Sequence, residues 1–283
     1  NAPAGGLRLV KAGVGTVVFE ETDRAGEQSI FDSRKNHGAD AMAALSGVFG
    51  WEQTAFARPV PGIAFDFRFG YSSANNAPGS TLGTLDPNVD PSLEVGWRHT
   101  FEARILPDPL FLLSGELRLI HWNGAIDTWI LTNGVYRTRH REYRGELTNV
   151  VGGAFEWTTP ERLVHRFRPL TDGTSLGGRL AQIRDFNGNR VDLTWDDDGR
   201  ITRVLDAAPS RGEYIFRYDG LRLTNITFNS WQVNFDYDSS NRLSAKWITN
   251  TAPAGTTGKP VNVNTRWEFR YGTNGLLSQI IDP

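Results

Sequence analysis

Residues 213–243 read EYIFRYDGLRLTNITFNSWQVNFDYDSSNRL, and a short pattern occurs in them twice. A strand-like run closes on Tyr218-Asp219, a turn follows, and Arg-Leu opens the next run at Leu223; the pattern closes again on Tyr237-Asp238 and reopens at Leu243. Working outward, RLAQIRD opens at Leu180 and RVDLTWD closes at Trp195. RITRVLD opens at Ile201, RLSAKWI opens at Leu243 and is closed by WEFRYG at Tyr271, and LLSQIID opens at Leu277. The opening residues Leu180, Ile201, Leu223, Leu243 and Leu277 stand 21, 22, 20 and 34 residues apart. A short, nearly fixed period marks one supersecondary unit stacked on copies of itself.

Each period reads as a hairpin. In YIFRYD, Tyr214, Phe216 and Tyr218 alternate with Ile215 and Arg217, the two-residue period of a strand. Asn187-Gly188, Asp198-Gly199, Asp219-Gly220 and Asn274-Gly275 are turn signals, because tight turns need residues that accept positive φ. An isolated hairpin is marginal in water, so the periods must join one larger sheet. Tyr218 and Tyr237 are expected to be largely buried and stacked in register.

Composition supports an all-β chain. Its 283 residues include 30 Gly, 14 Pro and an 11% share of aromatics, suited to strands and many turns. A net charge of −2 offers no field for nucleic acid. The absence of cysteine excludes disulfides, thiol catalysis and thiolate metal sites. No apolar run reaches the roughly 18–20 residues of a membrane span. The start, NAPAGG, lacks the basic and apolar regions of a signal peptide, and the last residues follow a repeat opening, so a portion of something larger is expected.

Along the chain, Thr16 to Glu21 reads as a strand and Gly38 to Gly47 as the one short helix, about 40–46, with Asp40 as its cap and Gly47 at its end. Strands are expected over Val48–Phe56, Ile63–Tyr71 with Phe65, Phe67 and Phe69 on one face, Leu93–Ile105, Leu117–Trp122, Trp129–Thr132, Gly134–Arg137, Phe155–Thr158 and Leu163–Phe167. Residues 72–92 and 249–264 read as loops, and the basic run RTRHREYR at 137–144 as a charged loop or edge strand. The organisation is therefore residues 1–47 as strand plus helix, 48–177 as a β strip, and 178–283 as repeats continuous with that strip.

Chemistry is sparse. His37, His99, His121, His140 and His165 make no metal-spaced pair, and no nucleophile, zinc or nucleotide motif is present. Asp185-Phe-Asn187-Gly-Asn189 has the oxygen spacing of a calcium-loop start, but Arg190 stands where the loop needs glycine, so it reads as a turn. Asp196-Asp197-Asp198 falls at a repeat turn and reads the same way. No catalytic residue, cofactor or metal ligand is assigned. The residues singled out are the repeat positions: Trp195, Tyr218, Tyr237 and Tyr271, with Leu180, Ile201, Leu223, Leu243 and Leu277.

The strings NGNRVDLTWDDDGRITRVLD, YIFRYDGLRLTNI and VNFDYDSSNRLSA resemble the YD repeats of bacterial Rhs proteins. Tyr218-Asp219 and Tyr237-Asp238 match the signature dipeptide; Trp195-Asp196 and Tyr271-Gly272 depart from it by one residue each. FDFRFGYSS at 65–73 and GWRHTFE at 96–102 are similar to elements preceding the repeats in that family, so the resemblance covers roughly 48–283. It implies meandering antiparallel hairpins forming a spiralling, shell-like sheet in an exported protein, extracellular or at the cell surface. It also implies a non-catalytic shell, with further repeats or a C-terminal cargo of the same parent chain as partners. The family's self-cleavage motif is absent, so none of its residues transfers. Two other readings remain: a carbohydrate-binding or adhesive module recognising surface glycans or associating with itself, and a glycosidase on a β-propeller, whose four-stranded blade would take two periods.

Overall fold

A computed structural model of the chain describes residues 8–11, 16–20, 41–42, 49–56, 63, 66–73, 93, 96–108, 115–122, 125–138, 145–171, 176–207, 212–250 and 266–283. In chain order the strands begin with β1 (Arg8–Lys11), β2 (Thr16–Glu20), β3 (Ala41–Met42), β4 (Phe49–Phe56), β5 (Phe67–Ser72) and β6 (Trp97–His99). There follow β7 (Arg104–Pro107), β8 (Leu117–Ile120), β9 (Ile126–Thr132), β10 (Val135–Thr138), β11 (Glu146–Asn149), β12 (Phe155–Thr158) and β13 (Val164–Phe167). The repeats supply β14 (Leu180–Arg184), β15 (Arg190–Trp195), β16 (Ile201–Asp206), β17 (Glu213–Asp219), β18 (Arg222–Phe228) and β19 (Trp231–Tyr237). The last three are β20 (Leu243–Asn250), β21 (Trp267–Tyr271) and β22 (Leu277–Ile281). The chain is all-β, and no α-helix occurs among the described residues.

Two compact bodies are distinguished: Asn1–Glu52 with Gly70–Trp97 and Phe216–Pro283, and Gln53–Phe69 with Arg98–Ile215. In the second body, each strand from β7 to β17 pairs antiparallel with the next. One face carries the cross-strand row Tyr136, Leu147, Trp157, His165, Ile183 and Val191. Of these, Leu147, Trp157, Ile183 and Val191 are buried. The other face is polar: Glu156 pairs with Arg184 at 2.8 Å and Arg166 at 3.9 Å, and Gln182 donates to Asp192 at 2.7 Å. That inside–outside alternation sets the register, since a slip of one residue would turn the apolar row outward.

The strip also returns on itself. The segment entering β14 bonds to strands on both sides: Arg168 N–H donates to Arg179 O at 2.9 Å, and Ile105 N–H donates to Gly178 O at 2.8 Å. Arg104 and Arg179 form an antiparallel bridge, and Arg104 Nε donates to Gly177 O at 3.1 Å. Thus β7 meets a later segment of the meander that it began, just before β14, and that edge is satisfied by the chain itself. Gly178 makes the approach possible: its φ is +69°, and a Cβ there would lie 1.8 Å from Ile105 O.

In the first body, β18 pairs with β19, β19 with β20, β20 with β21, and β21 with β22. β22 also pairs with β2, and β2 with β1. The core here is aromatic. Trp51 lies 5.8 Å from Trp97 and 5.7 Å from both Trp267 and Phe269, and Trp97 lies 4.5 Å from Phe269. Tyr71 joins them at 5.3 Å from Trp97, and its hydroxyl accepts from Leu277 N–H at 3.1 Å.

Several sequence expectations need correction. Ala41 and Met42, placed in the helix, form β3 and pair with Gly50 and Phe49. So short a helix is unstable alone, and a neighbouring strand offers those backbone groups partners; the rest of that segment lies outside the described residues. Leu93–Ile105 is not one strand. A turn divides β6 from β7: Glu102 N–H donates to His99 O at 3.1 Å, and His99 N–H donates to Glu102 Oε2 at 2.9 Å. β11, in the stretch after the basic run, had no alternating apolar pattern and was missed. Phe65, most of the 72–92 loop, residues 139–144 and 251–265, His37 and His140 lie outside the described residues.

Gly178→Ala should therefore cost about 3 kcal/mol or more by denaturant unfolding, because both the added carbon and the dihedral conflict. Gly188→Ala, also at positive φ (85°) but in open space, should cost only about 1–2 kcal/mol.

Candidate functional site

The repeat seam is where the chain's characteristic residues meet. Leu180, Ile201, Leu223, Leu243 and Leu277 are each at most 5% exposed, as expected of the core side of a strand. Fully burying a leucine contributes about 1.5–3 kcal/mol, so these positions anchor the stack. The closing residues behave differently. Trp195, Tyr218, Tyr237 and Tyr271 are of intermediate exposure, less completely enclosed than the opening residues.

For Trp195, Tyr237 and Tyr271 the reason is a hydrogen bond that needs the ring to lie along the sheet. Trp195 Nε1–H donates to Leu180 O at 2.8 Å, Tyr237 O–H to Leu223 O at 2.7 Å, and Tyr271 O–H to Leu243 O at 2.6 Å. In each case the closing ring reaches the opening residue of its own period. The same three residues pair across the following turn with Ile201, Leu243 and Leu277, just after a register shift in the strand. One aromatic thus ties three consecutive strands. Phenylalanine fills the same space but has no donor, which accounts for Trp and Tyr here.

An arginine covers the outer face of each ring. Arg179 lies 4.8 Å over Trp195, Arg222 5.8 Å over Tyr237, and Arg242 4.6 Å over Tyr271. Each of these arginines directly precedes the opening leucine of the period. Cation–π contacts at such half-exposed sites contribute about 0.5–1 kcal/mol.

The aspartate after the aromatic caps the turn. Asp238 Oδ1 accepts from Ser240 N–H at 2.8 Å and Arg242 N–H at 2.9 Å, and Oδ2 accepts from Arg242 Nε at 2.8 Å. Asp196 accepts from Arg200 N–H at 2.8 Å and Arg200 Nε at 2.7 Å. In both turns the residue three places on lies in the left-handed region, Gly199 at φ 79° and Asn241 at φ 66°. This is a three-residue hairpin loop closed by a bulge. Gly272, the departure from the signature, keeps the turn: its N–H donates to Leu276 O at 2.9 Å, and Asn274 Oδ1 accepts from Leu276 N–H at 3.0 Å.

The Asp185 segment, weighed as a calcium loop, is another capped turn. Its carboxylate accepts from Asn187 N–H, Asn189 N–H and Asn189 Nδ2 at 2.8–2.9 Å. Burial pushes the Asp185 and Asp238 carboxyls up, but the N–H donors around each outweigh it and hold both below the usual carboxylate range. Among the described residues no cluster of three or more His, Asp or Glu stands ready to hold a metal ion.

Other buried polar groups lie away from the seam. His121 Nε2 sits 2.7 Å from Asp127 Oδ2, and the Trp157 ring lies 5.0 Å from His121 and 4.9 Å from His165. His165 Nδ1 is buried with no hydrogen-bond partner. Burial, then the neighbouring His121, pulls the His165 imidazole down to about 4. His99 accepts from Phe101 N–H through Nδ1 at 3.3 Å, leaving Nε2 facing Glu102 at 3.4 Å. Lys246 is 1% exposed beside Trp267, and burial pulls its ammonium down to about 8. None of these groups carried a sequence signal, because a lone His or Lys in a strand pattern looks like any other.

No family model matches the chain, and no curated protein matches it. Among solved structures it is similar to the crystal structure of TcdB2-TccC3 without its hypervariable C-terminal region, with 15% identity and a TM-score of 0.32. That match covers 83% of this chain and 14% of the other. It is also similar to the crystal structure of TcdB2-TccC3-Cdc42, at 13% identity and a TM-score of 0.30, covering 82% of this chain and 12% of that one. The chain thus spans a small share of either. At TM-scores this low, neither match assigns an activity, cargo or partner to it.

Two measurements check the site. Tyr237→Phe should lower stability by about 1 kcal/mol, the net worth of one hydrogen bond. Asp238→Ala should cost about 0.5–2 kcal/mol, as for other aspartates capping backbone N–H groups. Unfolding midpoints in urea at neutral pH read both. The second measurement concerns His165. Between its unfolded value of about 6.5 and its folded value of about 4, the unfolded chain binds a proton that the folded chain does not. Stability should therefore be lost as pH is lowered through that window, by up to about 3 kcal/mol, and His165→Gln should remove that part of the slope. The capped aspartates act lower: their contribution is present above about pH 4 and lost as pH falls through their depressed values.

Proposed function

We propose that the chain is a non-catalytic structural module, a strip of β-hairpin repeats that builds a shell of the Rhs/YD-repeat kind in an exported protein. The observation that carries this reading is how the repeat uses its polar residues. Asp196 and Asp238 cap turns, Arg179, Arg222 and Arg242 cover rings, and Trp195, Tyr237 and Tyr271 donate to strand carbonyls. In these residues the chemistry of the motif is engaged in holding its own scaffold.

The pairing from β7 to β17 supports the same reading. A propeller blade stops pairing after its fourth strand, whereas this meander continues from each hairpin into the next. Closing or extending such a strip encloses volume, so a polypeptide cargo of the same parent chain, or a surface assembly, is its proposed partner.

Purified chain on a glycan array, followed by incubation with a panel of glycoside substrates, tests this function. The expected result is no saturable binding and no turnover. Saturable sugar binding would replace the structural reading with the adhesive one, and hydrolysis would replace it with an enzyme.

A further inference from the structure

The fifth period is opened by Leu277 on β22, and a repeat's closing strand belongs on the far side of that strand. In the structure that place is filled from the other end of the chain. β2 pairs antiparallel with β22 through Thr16↔Ile281, Val17↔Ile280 and Val18↔Gln279. β2 is itself held in a hairpin with β1 through Leu9↔Phe19 and Val10↔Val18.

The sequence of β2 fits the slot in a specific way. In the first period Val191 stands opposite Ile183, and in the third Val233 stands opposite Ile226. In the fifth, Val17 stands opposite Ile280. Two residues beyond each valine come Leu193, Phe235 and Phe19. Four residues beyond come Trp195, Tyr237 and, in the N-terminal segment, Glu21. The N-terminal segment therefore reproduces the apolar pattern of a closing strand but lacks the aromatic donor found at Trp195, Tyr237 and Tyr271. A glutamate carboxylate at neutral pH has no hydrogen to give to a backbone carbonyl, and Thr22 rather than Asp comes directly after it.

We propose that the outer edge of β22 is a strand-acceptor site for a repeat-type closing strand, of pattern Val-x-Leu/Phe-x-Trp/Tyr-Asp, and that the β1–β2 hairpin fills it as a replaceable cap. The partner is an extended peptide of that pattern, added to the sheet by main-chain hydrogen bonds and selected by its side-chain alternation. Such a strand would bring to the Leu277 carbonyl an aromatic donor that the N-terminal sequence lacks. The hairpin meanwhile keeps an exposed strand edge from pairing indiscriminately. This inference rests on strand register and repeat pattern, so it stands independently of the shell function.

The full chain tests it. The probe is a labelled synthetic peptide of residues 231–238, WQVNFDYD, and because the chain has no cysteine, Thr16→Cys/Ile281→Cys creates a single possible cross-strand lock. The expected result is that the lock forms on oxidation and abolishes peptide binding, and that reduction restores it. Val18→Pro, which disturbs the cap, should raise peptide affinity at least tenfold, and bound peptide should protect the amides of residues 277–281 from exchange. The same peptide carrying Tyr237→Phe should bind several-fold more weakly. Failure of the lock to form, equal binding to locked and unlocked chains, or no binding to either the reduced or the Val18→Pro chain would each overturn the proposal. Should Val18→Pro not fold, the oxidised and reduced forms of the cysteine pair give the same contrast.

Discussion

The hydrogen bond from Trp195, Tyr237 and Tyr271 to the opening carbonyl of their own periods is the contact on which the repeat depends. A hairpin of two short strands is marginal in water, and its neighbours stabilise it only if the register between hairpins is fixed. The main-chain ladder alone does not fix it, because a strand can slide by two residues and keep the same face inward. Tyr237 removes that freedom. Its backbone pairs with Leu243 across the next turn while its hydroxyl reaches Leu223 O behind it, so three strands share one alignment. Trp195 and Tyr271 do the same work in their own periods.

The remaining signature residues serve that bond. Asp238 fixes the turn that delivers the ring, and Arg242 links the periods, holding Asp238 with its guanidinium while stacking on Tyr271. Asp238, Arg242 and Tyr271 thus form a link of dependencies, aspartate to arginine to the next aromatic, from one period to the following one. Elsewhere the fold solves the same register problem differently. Gly178 lets the segment entering β14 touch Ile105, where any side chain would prevent the strip from meeting β7.

Much of this was legible beforehand and some was not. Period, strand alternation and positive-φ turns are local properties, so Phe155–Thr158 and the turns at Gly188, Gly199, Gly220 and Gly275 could be read from residues alone. The arginines before Leu180, Leu223 and Leu243 were in plain view, but what they cover lies a dozen or more residues further on. The bond from the Tyr237 hydroxyl was not legible, because its partner is a backbone carbonyl with no sequence signature. Closure at Gly178 and the pairing of β2 with β22 are contacts between distant segments, which periodicity does not encode. The same holds for the His121–Asp127 pair and the buried His165 beside Trp157.

Native-state hydrogen exchange on the Tyr237→Phe chain tests the central claim most directly. If the ring ties three strands, amides of β18 and β20 should lose protection together and by a similar factor, although neither strand carries the substitution. Loss confined to β19, or none at all, would contradict it and leave the repeat held by side-chain burial alone.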